Sequence, residues 1–244
     1  MKIGIIGAGQ IGGQLARTLA AAGHEVRLAN SRGPESLQDT VRGTSIHAAT
    51  PGEAGQDAEV IILSVPFAKM PGLSGLLAGV PQGAVVIDTS NYYPARDGHI
   101  GEVDEGTPET AWASAQVGRP LIKAWNALLA QTLANSGAES GAPGRIAIPI
   151  AGDDPAAKRI AVELVDLTGF DTVDAGPLAQ SWRFQPGTPA YCTELGLEDL
   201  RAALAAADRD RAPRNRDTIM ARFATATAMP PQAEIVATNR ALSA

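Results

Sequence analysis

Short apolar runs alternate with stretches of helical spacing along the first three quarters of the chain. Eight of these runs, most of them β-branched and bounded by Gly, Pro or Asp, predict β-strands. The predicted strands are Lys2–Ile6, Glu25–Ala29, Ser45–Ala48, Glu59–Ser64, Ala84–Asp88, Leu121–Lys123, Arg145–Ile150 and Asp171–Asp174. The runs at 60–63 and 85–87 are apolar on both faces, which is typical of central parallel strands covered by helices on both sides.

Helical spacing of apolar residues is found at 10–22 and at 155–167, where Asp154 can cap the start of the helix and Gly169 can end it. Residues 98–118 are polar and weakly periodic, and they predict a loop with at most one irregular helix. The alternation of strands and helices predicts an α/β fold with a doubly wound, Rossmann-type parallel sheet.

The composition changes after Pro177. Residues 195–207 are rich in Leu and Ala at helical spacing, Arg and Asp cluster as far as Arg216, and Ala and Thr are frequent from Met220 onward. A chain of 244 residues can form one large domain or one domain with an appendage. We therefore expect a Rossmann-type domain at residues 1–176 and a small helical C-terminal subdomain at residues 177–244.

A glycine-rich turn stands between the first predicted strand and the first predicted helix. Its residues form a GxGxxG motif: Gly7, Ala8, Gly9, Gln10, Ile11 and Gly12. In such a motif the first glycine makes a tight turn, the second lets the backbone approach a pyrophosphate, and the third lets helix and strand pack closely. Because the motif follows a strand and opens a helix, it predicts a dinucleotide site with the pyrophosphate at the helix N-terminus.

The end of the second predicted strand bears on the choice of dinucleotide. Proteins that bind NAD place an Asp or Glu about here, where it accepts a hydrogen bond from the ribose 2′-hydroxyl. This chain has Asn30, Ser31 and Arg32 instead. A neutral amide, a hydroxyl and a guanidinium can bind a 2′-phosphate that a carboxylate would repel, although the same residues also suit an ordinary turn. The sequence therefore favours NADP(H), and residues 1–176 are predicted to be an NADP-binding domain.

These motifs together resemble a known family. The turn at 7–12 and the segment at 30–33 resemble those of the NADPH-dependent reductases of the deazaflavin coenzyme F420 and of related NADP-binding oxidoreductases. The resemblance extends over about residues 1–180. The further segments that carry the resemblance are Leu63–Phe67, Ile150–Asp154 and Asp174–Leu178. The segments at 89–94 and 124–126 depart from the form of the archaeal deazaflavin enzymes.

The resemblance implies roles for three groups of residues. Ser31 and Arg32 would hold the 2′-phosphate, and residues 8–11 would hold the pyrophosphate. The nicotinamide end would be lined by Ser64, Val65 and Pro66. The implied activity is hydride transfer between NADP(H) and a deazaflavin (F420) or flavin-like ring, in which F420 or a flavin acts as co-substrate.

Two other functions remain open from the residues alone. A small carbonyl or imine substrate would need a proton donor, and Lys123 and Asn126 are the candidate catalytic residues, although a lysine at a strand end is often a solvated charge. Hydride transfer to a ring needs mainly two stacked rings in a dry cleft. The third function is non-catalytic sensing of NADP.

Side chains outside the motifs give two hypotheses about the acceptor. The loops near the predicted cleft contain Phe67, Tyr92, Tyr93 and Trp125, which either offer flat surfaces to a ring or belong to the core. The Arg and Asp cluster at 208–217 is either a solvated face or a docking strip for an anionic acceptor tail.

Charge and composition exclude several classes of function. The net charge of −6 argues against non-specific binding of nucleic acid, and the single cysteine, Cys192, excludes an intrachain disulfide framework. No spacing of His, Cys or carboxylate residues resembles a metal site. Glycines interrupt the apolar N-terminus, and no later run is long enough to cross a membrane, so we expect a cytoplasmic protein.

One apolar stripe indicates an interface. Leu195, Leu197, Leu200 and Leu204 share one face of the predicted C-terminal helix. Such a stripe must be covered by its own domain or by a partner. We expect a homodimer that uses this region.

Overall fold

A six-stranded parallel sheet forms the centre of the protein. The computed structural model describes residues 1–225 and 230–243. The strands are β1 (Lys2–Ile6), β2 (Glu25–Ala29), β3 (Ile46–Ala49), β4 (Val60–Leu63), β5 (Val85–Asp88), β6 (Ile122–Lys123), β7 (Ala147–Ile150) and β8 (Asp171–Asp174). The sheet has the order β3-β2-β1-β4-β5-β6, and every neighbouring pair in it is parallel.

Helices cover both faces of the sheet. They are α1 (Gln10–Ala21), α2 (Gln38–Val41), α3 (Pro51–Gly55), α4 (Ser74–Ala78), α5 (Pro94–Asp97), α6 (Gly101–Asp104), α7 (Glu109–Val117), α8 (Ala130–Asn135), α9 (Pro155–Leu167), α10 (Leu197–Ala206), α11 (Ala212–Ala224) and α12 (Gln232–Ser243). Three 3-10 turns lie at Pro34–Leu37, Phe67–Leu73 and Leu178–Phe184. Strands β4 and β5 are buried along their whole length, which explains why both are apolar on both faces. The predicted doubly wound α/β fold is confirmed.

Two strands leave the main sheet. Strands β7 and β8 form a separate parallel pair, which a single antiparallel bridge between Lys123 and Ala151 joins to β6. The chain turns sharply after β6, where Trp125 has a left-handed backbone (φ 55°) and its indole is buried. Strand β6 therefore has only two residues in the sheet, and the next strands pair with each other.

The prediction of a loop with one irregular helix over residues 98–118 is only partly right. This segment forms α6 and the nine-residue helix α7, whose Trp112 packs on Phe67 with ring centroids 5.0 Å apart. The helix escapes a search for apolar periodicity because polar residues point inward. Glu109 accepts a hydrogen bond from the Tyr92 backbone N–H, and the Thr110 hydroxyl donates to the carboxylate that ends β5.

The leucine stripe is covered within the chain. Leu200 and Leu204 are buried in a cluster with β7 and β8, and Leu195 and Leu197 pack against the same cluster half-buried. The stripe therefore offers no open face, and the reason for expecting a homodimer is removed. Of the predicted subdomain at 177–244, residues 226–229 and 244 lie outside the described residues.

A buried guanidinium fixes the connection that leads into β5. Arg119 lies just after α7, is 8% exposed, and donates hydrogen bonds to backbone carbonyls in the turn between α4 and β5. The carbonyls belong to Leu77, Val80, Pro81, Gln82 and Ala84. One side chain thus satisfies the last turn of a short helix and the start of a central strand.

We expect Arg119→Leu to lower the free energy of unfolding by about 3 kcal/mol, because several buried carbonyls lose their donor. Urea denaturation measures the change. The matched control is Arg201→Leu, which removes only an exposed i,i+3 ion pair with Glu198 and should change stability by less than about 1 kcal/mol. Equal effects of the two substitutions would contradict the role given to Arg119.

Candidate functional site

A cavity of about 610 Å³ opens at the carboxyl ends of β1, β2 and β4. We call it the carboxyl-edge cavity. It lies where the strand order reverses, between β1 and β4, which is the usual ligand position in this type of sheet. Its lining consists of Ile6, Gly7, Ala8, Gly9, Asn30, Ser31, Arg32, Pro51, Ser64, Val65, Pro66, Lys69, Gly72 and Leu73.

The structure brings together most of the residues that the sequence assigned to cofactor binding. Nine of the twelve line this cavity. The other three are in the first turn of α1: Gln10 is exposed, Ile11 packs against the core half-buried, and Gly12 is buried. Sequence analysis did not single out Lys69, which joins Arg32 as a cation in the lining. The lining contains no carboxylate.

The three motif glycines differ in what a side chain would meet. At Gly7, where φ is +114°, and at Gly12, an added Cβ would overlap backbone carbonyl oxygens, those of Ser64 and Gly7 respectively. At Gly9 an added Cβ would meet no atom within 4 Å. Gly7 and Gly12 are therefore required by the fold, whereas Gly9 leaves open space at the start of α1.

The Asn30 side chain holds the turn after β2. Its Oδ1 accepts from the Arg32 backbone N–H at 2.8 Å, and its Nδ2 donates to Ser36 Oγ at 2.9 Å. The Ser36 hydroxyl in turn donates to the Gly33 carbonyl. These bonds leave one hydrogen of the Asn30 amide for a ligand, so contact between Asn30 and a 2′-phosphate stays a prediction. Ser31 and Arg32 stay exposed at the cavity.

Lys123 is buried in an ion pair. Its side chain is 0% exposed, and its Nζ lies 3.1 Å from Asp88 Oδ2 and donates to the Ser90 carbonyl. The same carboxylate accepts from the hydroxyls of Ser90 and Thr110 at 2.6 and 2.7 Å. The interpretation of Lys123 as a solvated charge is wrong. Its removal would leave Asp88 buried without a cation.

Asn126 is also buried and bonded. Its Nδ2 donates to Asn91 Oδ1 and to the Phe184 carbonyl, both at 3.0 Å. Neither Lys123 nor Asn126 lines the carboxyl-edge cavity. The two candidate proton donors thus lie outside the cavity where the predicted cofactor residues meet.

The aromatic residues of the neighbouring loops belong mainly to the core. Phe67, Tyr92 and Trp125 are at most 1% exposed, so the hypothesis that they offer flat surfaces to a ring is wrong. Tyr93 is half-buried, and its hydroxyl lies 2.6 Å from that of Tyr191.

A second cavity, of about 580 Å³, lies between α7 and α11. We call it the α7–α11 cavity. Its lining consists of Tyr92, Val103, Asp104, Glu105, Gly106, Thr107, Glu109, Trp182, Gln185, Pro186, Arg209, Asp210, Ala212, Pro213 and Arg216. Arg209 and Arg216 of the mixed charge cluster line it, whereas Arg214 is exposed. The cluster is therefore not a uniformly solvated face.

Glu109 is the buried acid of this second cavity. It is 3% exposed, and one carboxylate oxygen accepts from the Tyr92 N–H at 3.1 Å. Its pKa is raised to about 7, chiefly by burial and to a smaller extent by nearby Asp88, while the positive charges of Lys123 and Arg216 oppose the rise. Lys123 is paired with Asp88, and the positive charges of Lys123 and Arg216 do not outweigh the effect of burial on Glu109.

Three further findings concern metal ions, membranes and the single cysteine. Among residues 1–225 and 230–243, no group of three or more His, Cys, Asp or Glu side chains could hold a metal ion. In the same part of the chain, no helix has the length and apolar character needed to span a membrane. Cys192 is buried, and burial raises the pKa of its thiol to about 12, so it behaves as an apolar group.

As pH rises from about 4 to about 8, we expect the free energy of unfolding of the wild type to fall by roughly 3 kcal/mol more than that of Glu109→Gln. The folded protein holds the Glu109 proton up to about pH 7, whereas the unfolded chain releases it near the ordinary value of 4.5. The stability due to this proton is complete below the unfolded pKa and is lost as pH rises through the folded one. Urea denaturation at several pH values measures the difference.

The matched control for that titration is Glu105→Gln, because Glu105 is exposed and lines the same cavity. This substitution should shift stability by a small amount that does not change over the same pH range. If Glu109→Gln and the wild type keep a constant difference at all pH values, Glu109 does not hold a proton at neutral pH.

Comparison with known proteins gives a family match over the first part of the chain. Residues 2–92 match the family model described as NADP oxidoreductase, coenzyme F420-dependent. This span holds strands β1–β5 and every residue that lines the carboxyl-edge cavity.

Two curated proteins of Escherichia coli strain K12 are similar in sequence. The protein YjhV is 35% identical over 103 residues, which cover 42% of this chain and 75% of that protein. A 3-sulfolactaldehyde reductase is 33% identical over 97 residues, which cover 38% of this chain and only 32% of the reductase.

Two solved structures are similar over most of the chain. The hypothetical protein SMa0349 of Sinorhizobium meliloti is 33% identical with a TM-score of 0.61, and the match covers 73% of this chain and 86% of that one. A protein of Arthrobacter sp. FB24, described as an F420-dependent NADP-reductase, has a TM-score of 0.63 over 74% and 87% of the two chains. At 23% identity, this second likeness shows the fold.

Proposed function

Because the chain belongs to the family of coenzyme F420-dependent NADP oxidoreductases, and is thus an NADP-dependent oxidoreductase, we propose that it transfers a hydride between NADP(H) and a deazaflavin (F420) or flavin-like ring. The observation that carries the proposal is the carboxyl-edge cavity. It combines an exposed arginine, a glycine turn at a helix N-terminus, and an end lined by small and apolar residues.

The dinucleotide would lie across the edge of the sheet. Its 2′-phosphate would meet Ser31 and Arg32 at the end of β2, and its pyrophosphate would meet the backbone at 7–9, where the open space beside Gly9 lets it approach α1. The nicotinamide would then reach Ser64, Val65 and Pro66 at the end of β4. In this arrangement Arg32 is positioned by the Asn30 side chain, which accepts a hydrogen bond from the Arg32 backbone N–H and donates one to Ser36 Oγ.

The charges of the cavity support NADP(H) over NAD(H). Arg32 and Lys69 are both cations, and no carboxylate lines the cavity to repel a 2′-phosphate. A guanidinium binds phosphate oxygens through charge-assisted hydrogen bonds, which are about twice as strong as neutral ones. The cavity therefore suits a dinucleotide with an added phosphate.

A ring acceptor agrees with the side chains at the nicotinamide end. Val65, Pro66 and Leu73 give that end an apolar wall, and Lys123 and Asn126 are buried and bonded elsewhere. A ring that stacks on the nicotinamide accepts the hydride at contact distance and needs no protein acid beside it. A carbonyl or imine needs a positioned proton donor.

We expect Arg32→Ala to weaken NADPH binding by on the order of 2–3 kcal/mol, because the 2′-phosphate loses a charge-assisted partner. NADH affinity should not change. Titration calorimetry measures both. The control is Arg42→Ala, in the same connection between β2 and β3 but outside the cavity, and it should leave both affinities unchanged. Equal affinity of the wild type for NADPH and NADH would refute the assignment.

The acceptor is tested by single-turnover oxidation of NADPH with F420, with free flavins, and with a panel of aldehydes and imines. We expect rapid oxidation by a ring, and a rate that is nearly equal in light and heavy water because no proton moves in the hydride step. Turnover with aldehydes or imines alone, slowed in heavy water, would contradict the ring and support the carbonyl alternative. Tight NADPH binding without any turnover would instead favour a sensor.

A further inference from the structure

The α7–α11 cavity is separate from the proposed dinucleotide site. The two cavities share no lining residue. The loop after β5 lies near both cavities. Its Tyr92 lines the α7–α11 cavity, and the Tyr92 ring centroid lies 5.6 Å from that of Phe67. Phe67 directly follows Pro66, which lines the carboxyl-edge cavity. At about 580 Å³ the second cavity is large enough for a small organic molecule.

Arg216 presents an available cation in this cavity. Its side chain is 11% exposed, its Nε donates to Asp217 Oδ1 at 2.8 Å, and its guanidinium lies 5.5 Å from the Tyr92 ring centroid. Within the described part of the chain, its two terminal amino groups make no hydrogen bond. They form the kind of fork that binds a carboxylate in a bidentate manner.

Gln185 adds an unsatisfied donor. Its Nε2 is buried and has no hydrogen-bond partner among the described residues. A buried amide without a partner destabilises the fold, and such atoms are rare in native proteins. Because Gln185 lines the cavity, rotation of its side-chain amide would turn this donor toward a ligand oxygen.

Glu109 supplies a third donor when it is protonated. It lines the same cavity, and its described hydrogen bond leaves the carboxyl able to donate a proton to a ligand. The charged groups that act on it are Arg216 from α11, Lys123 from β6 and Asp88 from β5, and burial outweighs them and raises its pKa to about 7. At neutral pH and below, a proton on Glu109 can thus be shared with an anionic oxygen.

We propose that the α7–α11 cavity binds a small organic monocarboxylate, whose oxygens accept hydrogen bonds from Arg216, Gln185 and the carboxyl group of Glu109. An ammonium group has no lone pair and could not accept hydrogen bonds from Arg216, Gln185 and protonated Glu109, although carboxylates also line the cavity. A doubly charged phosphate would meet repulsion from the acidic residues of the same lining, Asp104, Glu105 and Asp210. The two oxygens of a carboxylate match the two terminal amino groups of Arg216, whose Nε already pairs with Asp217.

The cavity wall is held in place before any ligand binds. A Cβ at Gly187 would overlap the carbonyl oxygen of Ala212, so α11 lies directly against the segment that follows Gln185. The Asn215 side chain also donates to the Gly187 carbonyl at 3.1 Å. These contacts hold the segment that follows Gln185 against the part of α11 that contains Arg216, which lowers the entropic cost of binding.

The probe for this site is para-fluorobenzoate, with para-fluorobenzamide as its neutral match, observed by fluorine NMR. We expect the benzoate to bind and the benzamide to bind at least about tenfold more weakly. Affinity for benzoate should fall about tenfold for each pH unit above about 7, because only protonated Glu109 accepts the anion beside it.

Three variants separate this site from a non-specific effect. Glu109→Gln keeps a donor without a titrating proton, so benzoate affinity should become independent of pH between about 6 and 9. Arg216→Gln should lose at least about tenfold in affinity, while Arg214→Gln, an exposed arginine on the same helix, should bind like the wild type. The exposed His99, which contacts Asp104, is tested by His99→Gln, which should keep the pH dependence.

NADPH binding, measured on each variant, confirms that the protein is folded. If Arg216→Gln does not fold, the pH dependence of Glu109→Gln still decides the question. The proposal is refuted if benzoate does not bind at about 10 mM, above the millimolar Kd expected of so small a ligand, or if benzamide binds equally well. It is also refuted if Glu109→Gln keeps the pH dependence. None of these outcomes bears on the hydride acceptor.

Discussion

A buried ion pair between Lys123 and Asp88 holds the carboxyl edge of the sheet in order. Both side chains are fully buried, so each needs the other. Through this pair and its hydrogen bonds, the last residues of β5 and β6 are tied to the first turn of α7 and to the loop at 89–92. The pair is neutral by itself and does not offset the burial of Glu109, which is the main reason that the pKa of this carboxyl is raised to about 7.

The parts of the fold that sequence predicts well are those fixed by local sterics and alternation. Strands β1, β2 and β8 and helix α9 have the predicted bounds, and the turn at 7–12 connects strand to helix as its glycines require. Because parallel strands end at one edge, placing β1, β2 and β4 in one sheet was enough to bring residues 7–9, 30–32 and 64–66 together.

The features that sequence missed depend on partners far along the chain. Lys123 looks like a solvated charge until Asp88, thirty-five positions earlier, is placed beside it. Sequence analysis missed helix α7 because a search for helical periodicity expects apolar residues at inward-facing positions. In α7 two of these positions hold polar residues, which form hydrogen bonds to the end of β5 and to the loop that follows it. The residues that line the α7–α11 cavity come from segments that are far apart in the sequence, so no local sequence pattern predicts this cavity.

The unequal surroundings of the three motif glycines have an evolutionary consequence. Gly7 and Gly12 are held by contacts within the chain, so selection for a folded protein is enough to keep them. The fold places no such demand on Gly9, and only a bound ligand gives a side chain there anything to collide with. A descendant that lost its cofactor would therefore be free to change position 9 first, and that position would record the loss while the rest of the turn stayed intact.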